Sequence, residues 1–167
     1  AGARNRRNIS VDTLDRERFR ALTRRDRLDD VRAGIAAAAA SGLRPLKLNA
    51  VAMRGVNEDE LVDLVAFALD HGAEMRFIEQ MPLDAGHTWS RSQMVTRDEI
   101  LAALSARWTL TPVPGRGGAP AERFLLDGGP EAVGVIASVT RPFCGACDRL
   151  RPTAAGQLRK CLVSNDE

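Results

Sequence analysis

Apolar and β-branched runs alternate with segments of helical periodicity over the first two-thirds of the chain. Runs typical of strands lie at 7–11, 45–52 and 74–79. The alanine-rich segment 28–40 predicts a helix between the first two strands, and Ser41 and Gly42 are typical of a helix end. Alternation of strands and helices predicts βα units and a parallel sheet.

Two further helices are predicted from capping signals. Asn57 followed by Glu60, and Thr96 followed by Glu99, each form a capping-box pattern ahead of an apolar stripe. The first of these helices is expected to end at His71-Gly72, because glycine commonly follows the last turn of a helix.

The last third of the chain has a different pattern. Residues 111–120 are rich in proline and glycine and predict a surface loop or linker. Two strand-like runs, 123–127 and 133–139, then flank Gly128-Gly129-Pro130 and predict a hairpin. We therefore expect a domain boundary near residue 110, with one domain over 1–110 and another over 111–167.

The first domain has too few βα units to close a barrel. Three units would leave an open parallel sheet with an exposed edge and an uncovered face. The missing strands are expected upstream, and the chain opens with Ala1 rather than methionine. The chain also ends at Glu167, soon after its last cysteine, so both ends of the sequence suggest a piece of a longer protein.

Composition and charge exclude several classes of protein. The 167 residues are 44% hydrophobic and 28% charged, with a net charge of +2, which is ordinary for a globular chain. Basic and acidic residues are interleaved, so we expect no general binding to nucleic acid. The sequence has no apolar run long enough to span a bilayer and no secretory signal pattern, so we expect a cytoplasmic protein with no membrane partner.

The three cysteines lie together near the C-terminal end, at Cys144, Cys147 and Cys161. An odd number cannot form a complete set of intrachain disulfides, and clustered thiolates suit zinc or an iron–sulfur cluster. His71 and His87 lie far upstream without the spacing of a zinc finger. Three protein ligands would leave one metal position open. The spacing by itself leaves zinc, an iron–sulfur cluster and three unrelated buried thiols as alternatives.

Residues Arg141–Leu162, RPFCGACDRLRPTAAGQLRKCL, resemble the C-terminal cluster motif of the GTP 3′,8-cyclase family of radical S-adenosylmethionine enzymes. Upstream blocks of the chain are similar to successive strand-and-loop motifs of the same family, in the same order: Asn8–Leu14, Leu46–Val51 with Arg54–Asn57, and Arg76–Pro82. The resemblance extends over essentially the whole chain.

The resemblance implies an α/β fold, a partial TIM-like (radical SAM) barrel followed by a small C-terminal α+β cluster-binding domain. It also implies that Cys144, Cys147 and Cys161 hold a 4Fe-4S cluster whose open iron contacts the substrate. The complete protein would use S-adenosylmethionine and a second 4Fe-4S cluster on a CxxxCxxC motif, which is not in this sequence.

The resemblance further implies which residues bind the small molecules. Ser10 and Met81 match positions that contact S-adenosylmethionine. Arg76 lies on the strand that leads to Met81 and is a candidate active-site charge. The positions that match the GTP site are Lys47, Arg149, Leu150 and Arg151. The chemistry of these residues agrees, because guanidinium groups bind phosphate oxygens in pairs and lysine adds a point charge.

The implied activity is the conversion of GTP to (8S)-3′,8-cyclo-7,8-dihydroguanosine 5′-triphosphate in molybdenum cofactor biosynthesis. The expected partners are GTP, S-adenosylmethionine and a second copy of the chain in a homodimer. We expect the chain alone to be inactive because it lacks the motif that cleaves S-adenosylmethionine. The alternatives are another radical enzyme with an auxiliary cluster and a zinc-binding interaction module.

Overall fold

The computed structural model of the chain describes residues 7–42, 44–83, 89–147 and 149–159. Its strands are β1 (Arg7–Ser10), β2 (Leu46–Ala52), β3 (Glu74–Glu79), β4 (Leu110–Pro112), β5 (Glu122–Leu126), β6 (Ala132–Ile136), β7 (Arg151–Pro152) and β8 (Leu158–Arg159). Its α-helices are α1 (Arg16–Thr23), α2 (Leu28–Ala40), α3 (Leu61–Asp70) and α4 (Arg97–Ser105). The predicted α/β class is confirmed.

One six-stranded sheet forms the centre of the molecule, in the order β1-β2-β3-β6-β5-β4. The neighbours from β1 to β6 are parallel, whereas β5 pairs antiparallel with both β6 and β4. Strands from both sides of residue 110 therefore belong to one sheet. The predicted hairpin is present, and Asp127 and Gly128 turn with positive φ angles of 51° and 69°.

The hydrophobic core lies on one face of this sheet. Alternate residues of β2, from Leu46 to Ala52, are buried there together with Met75 and Phe77 of β3. The helices contribute further buried side chains to the same cluster: Ile35, Leu64, Ile100 and Leu104. Burying each large apolar side chain is worth about 1.5–3 kcal/mol, so this face holds the helices on the sheet.

The predicted cap of α4 is confirmed, because Thr96 and Glu99 form a reciprocal capping box. The Glu99 carboxylate accepts hydrogen bonds from the Thr96 backbone and side chain at 2.8 and 2.7 Å. These bonds, with a further contribution from Arg54, lower the pKa of Glu99 to about 2. The negative charge of Glu99 in the first turn also interacts favourably with the positive end of the helix dipole.

The predicted capping box at Asn57 is wrong. The Asn57 side chain makes no cap, a 3₁₀ turn occupies Glu58–Glu60, and α3 begins at Leu61. Asn57 and Glu60 instead contact loops that are distant in sequence, as described below.

Helix α1 has no counterpart in the sequence-based prediction. Asp15 caps it by accepting a hydrogen bond from the backbone N–H of Arg18, and Arg24 ends it with a φ of 58°. No residue of α1 is buried, and its eight residues are fewer than the roughly 11–18 over which apolar periodicity identifies a helix in a sequence.

Strands β7 and β8 form a small separate hairpin after the cysteine turn. Its register pairs Arg151 with Arg159 and Pro152 with Leu158. No helix in the part of the chain that the structure describes has the length and apolarity needed to cross a membrane.

Candidate functional site

Three of the predicted site residues lie on the face of the sheet opposite the core. Ser10 pairs in register with Asn49, and Asn49 with Arg76. Lys47 is two positions before Asn49 on the same strand, so its side chain projects to the same side. The structure therefore brings Ser10, Lys47 and Arg76 to one face of three adjacent strands.

An ionic cluster covers part of this polar face. The Glu74 carboxylate accepts a hydrogen bond from Arg76 Nε at 2.8 Å and pairs with Arg123 at 2.8 Å through its other oxygen. Arg76 also lies over Gly134, where an added Cβ would be 3.0 Å from Arg76 Cγ. Two guanidinium groups share one carboxylate, so the cluster of Glu74, Arg76 and Arg123 carries a net positive charge that favours an anion.

The loops that follow β1 and β2 are joined by Asn57, whose side chain is fully buried. Its Nδ2 donates to the carbonyls of Asp12 and Val51 at 2.7 and 2.9 Å, and its Oδ1 accepts from Met53 N at 2.8 Å. Asp12 Oδ1 accepts from Val51 N at 2.8 Å. Burial raises the pKa of Asp12 against the opposing effect of this hydrogen bond.

Glu60 makes a second connection between these loops. Its carboxylate accepts from Thr13 Oγ1 and Leu14 N, both at 2.7 Å, and from Arg18 at 2.8 Å. Ser10 ends β1 immediately before this bonded segment. Asn57 and Glu60 therefore hold the carboxyl edge of the parallel strands in a defined shape, although the sequence pattern predicts only a helix cap for them.

Glu79 ends β3 and is completely buried. One carboxylate oxygen accepts from Arg97 N at 2.8 Å and from the Thr140 hydroxyl. The other accepts from the backbone N–H groups of Val139 and Thr140 at 2.9 and 2.8 Å. Met81 follows two residues later and is half-buried.

Cys144 and Cys147 lie on a 3₁₀ turn. Cys147 N donates to the Cys144 carbonyl at 3.2 Å, and Ala146 N donates to Phe143 O at 3.1 Å. The Cys144 side chain is exposed and that of Cys147 is half-buried. The predicted third ligand, Cys161, lies outside the described residues, and no three acidic, histidine or cysteine side chains within the described ranges form a metal-binding group.

Arg149 contacts the second cysteine. Its Nε donates to Cys147 Sγ at 3.3 Å, and its guanidinium carbon is 5.2 Å from the centroid of the Phe143 ring. The pKa of Cys147 is lowered, first by a hydrogen bond from the Arg149 backbone and then by the Arg149 side chain. A lower pKa favours the thiolate, which is the form that binds metals.

The other two predicted GTP residues lie beside this turn. Leu150 is 62% exposed. Arg151 is half-buried in β7 and faces Arg159 across the hairpin. Like charges directly opposite each other are destabilising, so a bound anion would stabilise this pair.

The predicted residues therefore form two groups in the structure. Ser10, Lys47 and Arg76 lie on the sheet, and Cys144, Cys147 and Arg149 lie on or beside the turn. Glu79, the last residue of β3, accepts hydrogen bonds from Val139 and Thr140 in the segment that leads to the turn.

Two family models match this chain. The model described as Molybdenum Cofactor Synthesis C matches residues 73–167, and the model described as Radical SAM superfamily matches residues 1–68. The boundary between the two models lies close to the start of β3.

Curated proteins are similar to the chain along its length. The chain is 57% identical over 169 residues to "GTP 3′,8-cyclase" of Streptomyces coelicolor, covering 100% of this chain and 50% of that protein. It is 52% identical to "GTP 3′,8-cyclase 2" of Mycobacterium tuberculosis, covering 96% and 46%, and 55% identical to "GTP 3′,8-cyclase" of Rhodococcus opacus, with the same coverage. The chain spans about half the length of these relatives.

Proposed function

Because the chain belongs to the Molybdenum Cofactor Synthesis C family, we propose that it is part of a GTP 3′,8-cyclase. The reaction would convert GTP to (8S)-3′,8-cyclo-7,8-dihydroguanosine 5′-triphosphate with S-adenosylmethionine. The observation that carries the proposal is the turn of Cys144 and Cys147 with Arg149 beside the second thiol. It combines ligands for a soft metal centre with a group that binds phosphate.

The ligands of the C-terminal 4Fe-4S cluster would be Cys144, Cys147 and Cys161. The chemistry of the donors fits this group, because thiolates are the usual ligands of iron–sulfur clusters and the lowered pKa of Cys147 favours the thiolate. A cluster held by these three thiolates would leave one iron without a protein ligand, and this iron would be available to the substrate. The N–H of Arg149 would remain available to the Cys147 sulfur, and hydrogen bonds to sulfur tune such sites.

GTP would lie between the turn and the polar face of the sheet. Arg149 and Arg151 would bind the triphosphate from one side, with Leu150 between them, and Lys47 from the sheet. The excess positive charge of the cluster of Glu74, Arg76 and Arg123 would add to the attraction. A chain with a net charge of only +2 can thus present a strongly basic site.

S-adenosylmethionine would bind at the carboxyl edge of the parallel strands. Ser10 ends β1, and Met81 lies just after the end of β3. The carboxyl ends of parallel strands meet at one edge of a sheet, which is the usual position of ligands in such folds. The bonded loops around Asn57 and Glu60 would keep this edge preorganised for the ligand.

The complete protein would also hold the second 4Fe-4S cluster that cleaves S-adenosylmethionine. We further propose the radical SAM barrel, the division into 1–110 and 111–167, a cytoplasmic location and a homodimer. The barrel and the homodimer derive from the family resemblance, whereas the division derives from the proline- and glycine-rich segment 111–120.

The test of the metal centre is anaerobic reconstitution of the purified chain with iron and sulfide. We expect one oxygen-sensitive cluster, and Cys147→Ser should abolish it. Arg25→Ala, a change at an exposed position on the surface, serves as a control and should leave the iron content unchanged. Stoichiometric zinc without any uptake of iron and sulfide would support the zinc-binding module instead.

The test of the reaction uses the protein in its full length, with GTP, S-adenosylmethionine and a reductant. We expect the cyclised nucleotide triphosphate as the product. Formation of a product from another substrate class, with GTP neither bound nor consumed, would favour a different radical enzyme.

A further inference from the structure

Glu79 is an unusual residue to find without any contact with solvent. A buried carboxylate is costly unless its oxygens are fully hydrogen-bonded. Here both oxygens accept two bonds each, from Arg97 N, Val139 N and both the N–H and the hydroxyl of Thr140. These donors belong to the first turn of α4 and to the segment after β6. Glu79 therefore connects the end of β3, where it lies, to the start of α4 and to the segment after β6.

The position of this point relates the two groups of site residues. Met81 follows Glu79 after one residue, and Cys144 follows Thr140 after Arg141, Pro142 and Phe143. Four residues of fully extended chain reach about 14 Å at most. Glu79 thus limits how far the cysteine turn can lie from the carboxyl edge of β3.

We propose that Glu79 is a positioning residue that fixes the cysteine turn relative to the carboxyl edge of the parallel strands. The inference rests on the proposed function insofar as the turn holds the cluster that GTP contacts. The carboxylate is required because its four acceptor positions meet four donors. An amide of the same shape has only one acceptor oxygen, so it would leave Arg97 N or the pair at Val139 and Thr140 unsatisfied.

The contact itself is tested by amide hydrogen exchange in the full-length protein. Glu79→Gln should accelerate exchange by about tenfold or more either at Arg97 or at Val139 and Thr140, because an N–H without its acceptor opens more readily. Which side is affected depends on which donors the amide oxygen faces. Glu17→Gln makes the same chemical change at an exposed position of α1 and should leave the exchange rates of all three amides unchanged. Equal exchange at all three amides in Glu79→Gln and the parent would overturn the proposal.

The positioning role is tested by electron paramagnetic resonance of the reduced cluster held by the C-terminal cysteines. GTP should change this spectrum in the parent, and Glu79→Gln should show a smaller change at saturating GTP, with the same iron content. A merely structural role would not alter the response of the spectrum to GTP. An identical response in both proteins would contradict the proposal.

A second pair of variants applies where Glu79→Gln fails to fold. Thr140→Val removes one bond to Glu79 and keeps the backbone N–H, whereas Thr140→Ser keeps the hydroxyl. We expect a reduced spectral response to GTP in Thr140→Val and a response like that of the parent in Thr140→Ser. Equal responses in these two variants would also overturn the inference.

The failure of the proposed function has a different signature. If GTP leaves the spectrum of the parent unchanged, the GTP proposal is wrong. The role of Glu79 is then decided by hydrogen exchange and by the spectrum without GTP. That spectrum should be broader in Glu79→Gln, because a turn held less firmly samples more positions, and an unchanged line width would contradict the positioning role.

Discussion

Asn57 is a single side chain that connects two loops of the site. It satisfies two backbone carbonyls and one backbone N–H in a fully buried position. Leaving a buried polar group without a partner costs about 1–3 kcal/mol. The amide therefore contributes more through the groups it satisfies than through its own burial.

We expect Asn57→Ala to lower the free energy of unfolding by about 3 kcal/mol, because three backbone groups lose their partner in a buried position. Urea unfolding at neutral pH measures the change. Asn8→Ala, at an exposed position in β1, should change stability by less than about 0.5 kcal/mol. A similar small change in Asn57→Ala would show that water replaces the amide.

Arg149 and Arg151 are both expected to bind the triphosphate of GTP. In the full-length protein, Arg149→Ala and Arg151→Ala should each weaken GTP binding by about 1.5–3 kcal/mol, the range for hydrogen bonds to charged groups. Guanosine should bind about equally to all variants because it has no phosphates. Calorimetric titration at low salt measures both ligands.

The two variants should differ at the neighbouring thiol. Of these two arginines, Arg149 is the one whose side chain donates a hydrogen bond to Cys147, so Arg149→Ala should raise the pKa of Cys147 more than Arg151→Ala does. The alkylation rate of Cys147 in the iron-free protein should then reach its midpoint at higher pH. GTP binding as tight as in the parent for both variants would identify the arginines as a solvated surface.

Helix α4 begins with a capping box whose stabilising effect is measurable. Thr96→Ala should lower the free energy of unfolding by about 1 kcal/mol, whereas Thr96→Ser should retain the cap. The pKa of Glu99 falls from its ordinary value to about 2 in the folded chain. Its contribution is therefore fully present above about pH 4.3, the pKa of an unperturbed glutamate, and is lost as the pH falls towards 2.

Denaturant unfolding of the parent and of Glu99→Gln between pH 7 and 2 tests this dependence. The difference between the two proteins should be largest at neutral pH and should shrink as the pH falls through the window from about 4.3 to 2. A difference that stays constant over this window would contradict the lowered pKa.

Two glycines in different elements should respond oppositely to the same substitution. Gly34 in α2 has open space where a Cβ would lie, so Gly34→Ala should stabilise the chain by up to about 1 kcal/mol. In β6, a Cβ at Gly134 would lie 3.0 Å from Arg76 Cγ and 3.3 Å from Ala121 Cβ. Gly134→Ala should therefore destabilise by about 1–3 kcal/mol.

Thermal or urea unfolding of both glycine variants tests the prediction. Gly134→Ala should also weaken binding of GTP in the full-length protein if Arg76 lies in the site. Stabilisation by both substitutions would mean that Arg76 moves aside without cost.

Under the proposed function, the chain as a whole would bind GTP but would not cleave S-adenosylmethionine. Its three cysteines lie within residues 144–161, and the 167 residues contain no CxxxCxxC motif. We therefore expect the isolated chain, reconstituted and reduced with dithionite, to form no deoxyadenosine from S-adenosylmethionine. Chromatography of the reaction mixture measures the product, with the full-length protein as the positive control. Deoxyadenosine from the isolated chain would contradict this prediction.

At the scale of the whole molecule, the sheet extends through the position where the sequence predicts a boundary. Proline and glycine near residue 115 indicate a loop, but local composition does not reveal which strand comes next to β3. The pairing of β6 with β3 is a contact across more than 50 residues of chain. Long-range pairing of this kind is decided by burial of the shared core face.

The sequence by itself determined the features that depend on near neighbours. The strands β1 to β3, helix α2, the box of Thr96 and Glu99, and the hairpin between β5 and β6 each have a local pattern of apolar, capping or turn residues. Two close pairs, Cys144 with Cys147 and Arg149 with Arg151, were recognisable for the same reason, because the members of each pair are at most three positions apart.

Only the tertiary structure decided the roles of Asn57, Glu60 and Glu79. Each is a polar residue at the end of a strand or the start of a helix, where sequence patterns predict a cap or a solvated surface. Their partners lie up to 61 positions away, as between Glu79 and Thr140. A buried polar side chain takes whatever donors and acceptors the packed elements bring to it, so its function is fixed only when the sheet, the helices and the cysteine segment have come together.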